Sequence, residues 1–361
     1  MGYKFIVVGN DTDLKSVRKI ISCDYGEKLL SELCTKPIPI PEIRGDCLAA
    51  FKKLNAVRID EDNKAFLNFT CLSKDEIKQV KKVSNIIGKD LADTIISNLK
   101  ISKKLENSYD TEMLQKILFI LIGCVSLDWN GLKILEALGY IPILGFSLTE
   151  QERNSAELLS YVLIAEEKFR NNVKEVYCGS HNICYKEIIY TTFGDNLSKT
   201  RKSFPDLNWD LKVDEQKFPF INYYIENGMG RIYDYLISNE TDKNLERILG
   251  DLKYIKDGKI NIPIFNNDNY ILVKDVIDQT NDILTIWLQK NIPQLEYSFR
   301  DLNSLKMGVS FKEVLVELWH LVFGYANKHL ARSCFIFNPY SKESDFKGYL
   351  PCIHLKNLLF E

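Results

Sequence analysis

Residues 252–265 read LKYIKDGKINIPIF, and this stretch predicts a β-hairpin between two helical segments. Asp257 and Gly258 stand between two short apolar runs, and an Asp-Gly pair favours the tight turn of a two-stranded hairpin. The second run has isoleucine at every other position, which is the pattern of a strand with one buried face. The flanking residues have helical patterns, so the hairpin is a short insertion between helices.

A second stretch of the same kind occurs earlier in the chain. Residues 54–69 read LNAVRIDEDNKAFLNF, with an acidic turn about two residues longer. From there, residues 69–102 align with 265–298 without a gap and with eight identities in 34 positions. One inserted residue then brings 114–142 over 311–339 with matching apolar positions. Two blocks in the same order indicate an internal duplication rather than a short solenoid repeat.

The duplication predicts two copies of one plan, copy A at about 24–143 and copy B at about 228–340. Each copy has two helices, a hairpin, a long helix and a mostly apolar helix. The predicted fold class is therefore α+β and mainly helical, with an internal duplication of a winged-helix-like unit followed by long helices. The predicted domains are copy A with its helices, a connector with one helix and short strands, and copy B with its helices, at 1–143, 144–227 and 228–361.

The connector has its own pattern. An apolar face over 148–170 predicts a helix, and alternation over 173–192 predicts one or two strands. Residues 194–217 are polar and rich in turn formers, and they contain the basic run 198–202. That run either binds phosphate or keeps a loop soluble.

Composition sets broad limits on the class of protein. The chain has 361 residues, 45 % of them apolar, and a net charge of −2, so it is no polycation. Its nine scattered cysteines predict reduced thiols in a cytoplasmic protein. The longest apolar run, residues 117–125, is shorter than the roughly 20 residues that cross a bilayer, which predicts a core helix and no membrane partner.

The order helix, helix, two-stranded wing resembles the winged-helix arrangement. In its DNA-binding versions the helix before the wing enters the major groove, and the wing touches phosphate. That role needs basic side chains, because phosphate neutralisation supplies most non-specific affinity. The candidate nucleic-acid-binding residues are Arg44, Lys52, Lys53 and Arg58 in copy A, and Lys243, Arg247, Lys253, Lys256 and Lys259 in copy B.

The same charges have a second interpretation. The turn of copy A is acidic, and residues 229–259 of copy B contain six basic and six acidic residues. The lysines and arginines can thus be the solvated face of ordinary helices, and the units can serve as protein-contact modules.

Two clusters contain residue types that occur in metal or catalytic sites. Cys178, His181 and Cys184 are three soft ligands within seven residues, but a structural zinc site needs four. Glu317 and His320 share one helix face, yet copy A has no equivalent pair to complete a di-iron site. No metal, cofactor or catalytic residue is predicted.

The preferred interpretation is a DNA-binding protein with a role in transcription regulation, in which long helices pair the two copies as a pseudo-dimer. The alternative is a non-enzymatic protein-interaction module, and the third is an enzyme of unknown reaction. The sequence leaves open the DNA sequence, the effector, the partner and the oligomeric state.

Overall fold

The computed structural model describes residues 3–9, 23–53, 55–146, 161–167, 178–195, 203–209, 223–224, 228–238 and 242–359. The protein is α+β with about 61 % helix and 15 % strand in several small sheets. This composition confirms the mainly helical α+β class. The winged-helix nature of the two copies stays a prediction.

The first half of the chain begins and ends with a strand. In chain order its elements are β1 (Tyr3–Gly9), α1 (Asp24–Leu33), β2 (Ile38–Pro39), a 3-10 turn (Ile40–Glu42), α2 (Gly45–Lys53), β3 (Val57–Ile59), β4 (Lys64–Leu67), β5 (Thr70–Leu72), α3 (Lys74–Asn98), α4 (Lys103–Ser108), α5 (Thr111–Leu118), a π-helix (Phe119–Asn130), α6 (Gly131–Ala137) and β6 (Tyr161–Glu167).

The second half has a closely similar order. Its elements are β7 (Cys178–Tyr185), β8 (Ile188–Asp195), α7 (Phe204–Trp209), α8 (Met229–Ser238), α9 (Lys243–Asp251), β9 (Ile255–Lys256), β10 (Lys259–Ile260), β11 (Ile264–Phe265), α10 (Asn267–Phe299), α11 (Asn303–Lys306), α12 (Phe311–Arg332), β12 (Tyr349–Leu355) and α13 (Lys356–Leu359). Both predicted hairpins are therefore present, as β3–β4 and β9–β10.

The two helix–hairpin junctions are built alike. Asn55 and Lys253 follow helices α2 and α9 with positive φ angles of 50° and 65°. At both sites the next amide, that of Ala56 or Tyr254, donates at 2.8 Å to the carbonyl five residues earlier. This left-handed cap ends each helix and turns the chain into the first hairpin strand.

The chain divides into two compact units, and each combines parts of both halves. Unit 1 contains Met1–Ile87 and Gly131–Lys174 from the first half and Thr285–Val322 from the second. Unit 2 contains Gly88–Asn130 from the first half and Glu175–Leu284 and Phe323–Glu361 from the second. The first half thus supplies most of unit 1 and one segment of unit 2. The second half supplies most of unit 2 and one segment of unit 1.

Unit 1 contains two three-stranded sheets. In the first, β6 pairs antiparallel with β1 and parallel with β5, so the order is β1-β6-β5. In the second, the order is β2-β4-β3, and the short strand between the two helices pairs with the return strand of the hairpin. A buried cluster that includes Leu30, Phe51 and Leu67 fills the space between α1, α2 and the hairpin.

Unit 2 contains a four-stranded sheet of order β11-β12-β8-β7 and the two-stranded β9–β10 hairpin. Its β12 pairs parallel with β11 and antiparallel with β8, which repeats the relation of β6 to β5 and β1. Tyr190 of the sheet and Tyr254 of the helix–hairpin junction both pack against the buried ring of Phe204, at centroid distances of 6.0 and 5.4 Å.

Two predictions about the chain are wrong. Residues 161–167 form strand β6, not part of a helix over 148–170; the other residues of that stretch lie outside the described ones. Strand β6 lies between two other strands, and its Ile164 is fully buried. The prediction was wrong because the sequence of a buried central strand is a continuous apolar run, which periodicity alone cannot distinguish from a buried helix. The strands predicted over 173–192 are present as β7 and β8.

The second wrong prediction concerns the thiols. Cys34 at the end of α1 and Cys71 in β5 form a disulfide, while the other seven cysteines form none. The two cysteines are separated by 37 residues, but their Cα atoms lie 6.2 Å apart. That distance is within the usual range for a disulfide. The assignment to the cytoplasm stays a prediction, and this bond is unusual for such a compartment.

The apolar run of residues 117–125 lies in a buried helical stretch, as predicted. Thr111–Ala137 is long and apolar enough by composition to cross a membrane, but 78 % of its apolar window is buried within the protein. Burial of this extent is typical of a core helix.

Candidate nucleic-acid interface

Helix α9 of copy B presents one apolar and one charged face. Asp242 caps its start by accepting from the amides of Asn244 and Leu245, at 3.0 and 3.1 Å. The inward face buries apolar side chains, namely Leu245, Ile248 and Leu249. The spacing of these residues leaves Lys243 and Arg247, one turn apart, on the exposed face.

The wing of copy B carries the remaining basic residues. Asp257 and Gly258 have φ angles of 51° and 72°, and this pair of positive angles is the geometry of the type I′ turn that the sequence predicts. Lys253, Lys256 and Lys259 are all exposed around this turn. With the α9 pair, they make five exposed basic side chains on this helix–hairpin segment, a set here called the basic wing patch.

The members of the basic wing patch differ in how they are engaged. Among the described residues, no carboxylate lies within ion-pair distance of Lys243, Arg247 or Lys259. Lys256 is paired, with its Nζ 2.8 Å from Asp345 Oδ2, and this hydrogen bond raises the pKa of the lysine. Among the described residues, Lys256 is the one member of the patch with an ion pair, so the other four basic groups are available to an anionic ligand without breaking such a pair.

Copy A uses its arginines internally. Arg44 Nε donates to Asp46 Oδ1 at 3.1 Å and its guanidinium lies 4.9 Å from the Tyr25 ring centroid. The hydrogen bond to Asp46 raises the pKa of Arg44. Arg58 donates to the main-chain carbonyl of Met307 within unit 1. Both arginines are thus committed to neighbours within the protein.

The rest of the copy A site is mixed in charge. Arg58 also lies over the ring of Phe66, at 4.7 Å. Lys52 and Lys53 are exposed in the last turn of α2. The hairpin turn exposes Glu61 and Asp62, and Asp62 pairs with Lys64 at 3.4 Å. Lys52, Lys53 and Arg58 flank the helix–hairpin junction that leads into this acidic turn, whereas Arg44 precedes the other end of α2.

The three residues considered as metal ligands in the sequence do not come together at one site. Cys178 and Cys184 lie on one face of strand β7 and His181 on the other, because successive side chains of a strand alternate. His181 Nδ1 lies 2.7 Å from Asp206 Oδ1. Among the described residues, no group of three or more His, Cys, Asp or Glu side chains is placed to hold a metal ion. The basic run 198–202 lies outside the described residues.

Glu317 and His320 both lie inside helix α12 rather than at an open site. Both are buried, and His320 Nδ1 donates to the carbonyl of Val316 at 2.7 Å. Burial lowers the pKa of this histidine, so the imidazole is neutral at physiological pH. The pair is a feature of the core.

Sequence reasoning missed a polar network beside the four-stranded sheet. Ser203 Oγ donates to Asp206, which also contacts His181, and Ser203 Oγ lies within hydrogen-bond distance of Thr192. The segment Ser203-Phe204-Pro205-Asp206 has the spacing of a helix start with an acidic residue three positions on, a signal that could have located it. The aspartate lies between the serine and the histidine, so the order differs from a catalytic triad.

A second missed feature is a buried carboxyl in the π-helix. Burial raises the pKa of Asp128 to about 8, against hydrogen bonds from the side chain and the amide of Ser180. Ser180 Oγ accepts in turn from Trp129 Nε1 at 3.0 Å. A protonated carboxyl in this position stabilises the contact between helix and sheet without a buried charge.

Comparison with protein-family models, curated proteins and solved structures found no match to this chain.

Proposed function

We propose that the protein binds DNA through the basic wing patch of copy B. The observation that carries this proposal is that Lys243 and Arg247 on the helix before the hairpin, Lys253 at the junction, and Lys256 and Lys259 on the hairpin are all exposed. A recognition helix and a wing that bear cations together can contact a groove and the phosphates beside it. A role in transcription regulation is the natural use of such a module.

The architecture supports a winged-helix-like unit. In unit 1 the strand between the two helices joins the hairpin in the order β2-β4-β3, which adds a third strand to the wing. The helix–hairpin junction of copy B has the same cap geometry as that of copy A. The exchange of central segments between the two halves supports a pseudo-dimer within one chain.

The test is a fluorescence anisotropy titration of labelled duplex DNA at about 50 and 200 mM salt, since electrostatic binding is strongest at low salt. We expect Lys243→Glu with Lys259→Glu to weaken binding at least about tenfold and to reduce the salt slope by about two units. A matched control is Lys103→Glu with Lys104→Glu, which makes the same charge change on exposed positions of helix α4.

The two variants separate a local interface from a general effect of charge. We expect the control variant to retain wild-type affinity. Equal loss in both variants would contradict a site on the wing. Absence of wild-type binding at about 50 mM salt would overturn the proposal.

The second candidate function is protein contact through copy A. Its arginines are engaged, its turn is acidic, and Ile59 beside that turn is 38 % exposed. These features favour a protein surface over a phosphate backbone. Failure of the DNA experiment would place this alternative first.

A further inference from the structure

The wing of copy B is held by a carboxylate from a distant part of the chain. Asp345 lies in the loop between α12 and β12, and its Oδ2 is 2.8 Å from Lys256 Nζ across 89 residues of sequence. The Lys256 side chain is 49 % exposed and the Asp345 side chain 25 % exposed. The pair therefore lies at the surface, where a solvent-borne ligand can reach it.

Three lysines act on this one carboxylate. Burial opposes ionisation of Asp345, but the hydrogen bond and charge of Lys256, with the charges of Lys253 and Lys116, lower its pKa overall. Two of these lysines are members of the basic wing patch. The third, Lys116, is only 3 % exposed, and its Nζ lies 2.6 Å from Asn261 Oδ1 and 2.6 Å from Glu112 Oε1.

The lysines around Asp345 hold a carboxylate in the way that a binding site holds an anion. A DNA phosphate and a carboxylate are both oxyanions that accept charge-assisted hydrogen bonds from an ammonium group. One lysine Nζ can make a close ion pair with either, and the two compete for the same charge. Asp345 is placed where a wing lysine would otherwise face a ligand.

We propose that Asp345 is an internal competitor that occupies Lys256 in the free protein and is displaced when nucleic acid binds the wing. This regulation rests on the proposed function of the basic wing patch. The contact lowers affinity for any DNA by engaging one phosphate-binding cation, and so limits non-specific binding. At a specific DNA sequence, α9 makes additional contacts, and their binding energy is enough to displace Asp345 from Lys256.

The decisive variant is Asp345→Asn, which keeps the shape of the side chain and removes its charge. We expect about two- to fivefold tighter binding to duplex DNA at about 50 mM salt, the range that corresponds to loss of one exposed ion pair. The salt slope should steepen by about one unit, since one more phosphate is contacted. Asp345→Asn with Lys256→Gln should lose this gain, because the released cation is then absent.

The matched control is Glu343→Gln on the same loop. It makes the same change in net charge, but its carboxylate contacts Ser341 and not the wing. We expect wild-type affinity from this variant. Thermal melts of all variants would show that each is folded before its binding is compared.

The outcomes separate this inference from the proposed function. Wild-type binding that Asp345→Asn leaves unchanged or weakens would overturn the competitor role and leave the DNA interface standing. An equal gain with Glu343→Gln would also overturn it, because net charge alone would explain the gain. Binding by neither the wild type nor Asp345→Asn would overturn both, whereas binding by Asp345→Asn alone would support both.

Discussion

Asn68 and Asn261 make the same pair of hydrogen bonds at the two helix–hairpin junctions. The main-chain N–H of each donates to the carbonyl of the residue before the first hairpin strand, Ala56 or Tyr254, at 2.9 and 2.8 Å. Their side-chain amides donate to the carbonyls of Asn55 and Lys253, at 3.0 and 2.9 Å. Each asparagine thus ties the return strand to the end of the preceding helix.

The two asparagines differ in one respect, which gives the first prediction. Asn261 Oδ1 also accepts from the buried Lys116 ammonium at 2.6 Å. We expect Asn68→Ala to cost about 1 kcal/mol, as for one hydrogen bond, and Asn261→Ala to cost about 2–3 kcal/mol, because a buried cation loses an acceptor. Urea unfolding of both variants measures the difference. Equal losses of unfolding free energy in the two variants would show that the hydrogen bond from Lys116 to Asn261 adds no stability.

The second prediction concerns the disulfide. The chain-entropy model assigns a loop of this length about 4 kcal/mol of stabilisation. We expect Cys34→Ser with Cys71→Ser to lower the free energy of unfolding by about 2–4 kcal/mol. The control is Cys184→Ser, an exposed free cysteine. Thiol titration in denaturant should count seven free thiols in the wild type, and a count of nine would contradict the bond.

The third prediction is a pH dependence that arises from Asp128. Its pKa is about 8 in the folded protein, against 3.8 for an ordinary aspartate. Between these values the folded protein holds a proton that the unfolded chain releases. The contribution of this carboxyl to stability is therefore complete below about pH 4 and is lost as the pH rises towards 8.

Replacement of this carboxyl by an amide removes that dependence. We expect Asp128→Asn to gain stability relative to the wild type as the pH rises from about 5 to about 8. Asp282→Asn, at an exposed position of α10, serves as the control and should show a constant difference. Unfolding curves at several pH values test this, and parallel profiles for wild type and Asp128→Asn would contradict it.

The fourth prediction compares one candidate arginine from each copy. Arg247 is exposed on α9, whereas Arg44 is paired with Asp46. If Arg247 reaches a base edge, Arg247→Ala should cost on the order of 1–3 kcal/mol at a specific DNA site. Arg44→Ala should change DNA affinity little. A larger effect of Arg44→Ala would move the interface to copy A.

The sequence was most informative where local chemistry decides the structure. The Asp257-Gly258 turn predicts its hairpin because few residue pairs accept two positive φ angles. The gapless match of 69–102 with 265–298 likewise follows helices α3 and α10, whose buried positions repeat with the helical period.

Features made by distant residues left no local signal. The disulfide joins cysteines 37 residues apart, and Asp345 meets Lys256 across 89 residues. Strand β6 has the apolar character of a buried helix, and only its partners β1 and β5 make it a strand. The nine predicted interface residues lie in the two segments that the sequence predicts as helix and hairpin, but contacts such as that of Arg58 with Met307 decide which of them are engaged.

The exchange of central segments also sets an order of events during protein synthesis. Unit 1 contains Met1–Ile87 and Thr285–Val322, so its early part emerges from the ribosome 198 residues before its last part begins. At about 5–20 residues per second, the early part waits about 10–40 s for its packing partner. During that interval apolar surface destined for the core faces solvent. Nascent chains of this protein should therefore depend on chaperones more than a protein of equal size whose domains are each continuous in sequence.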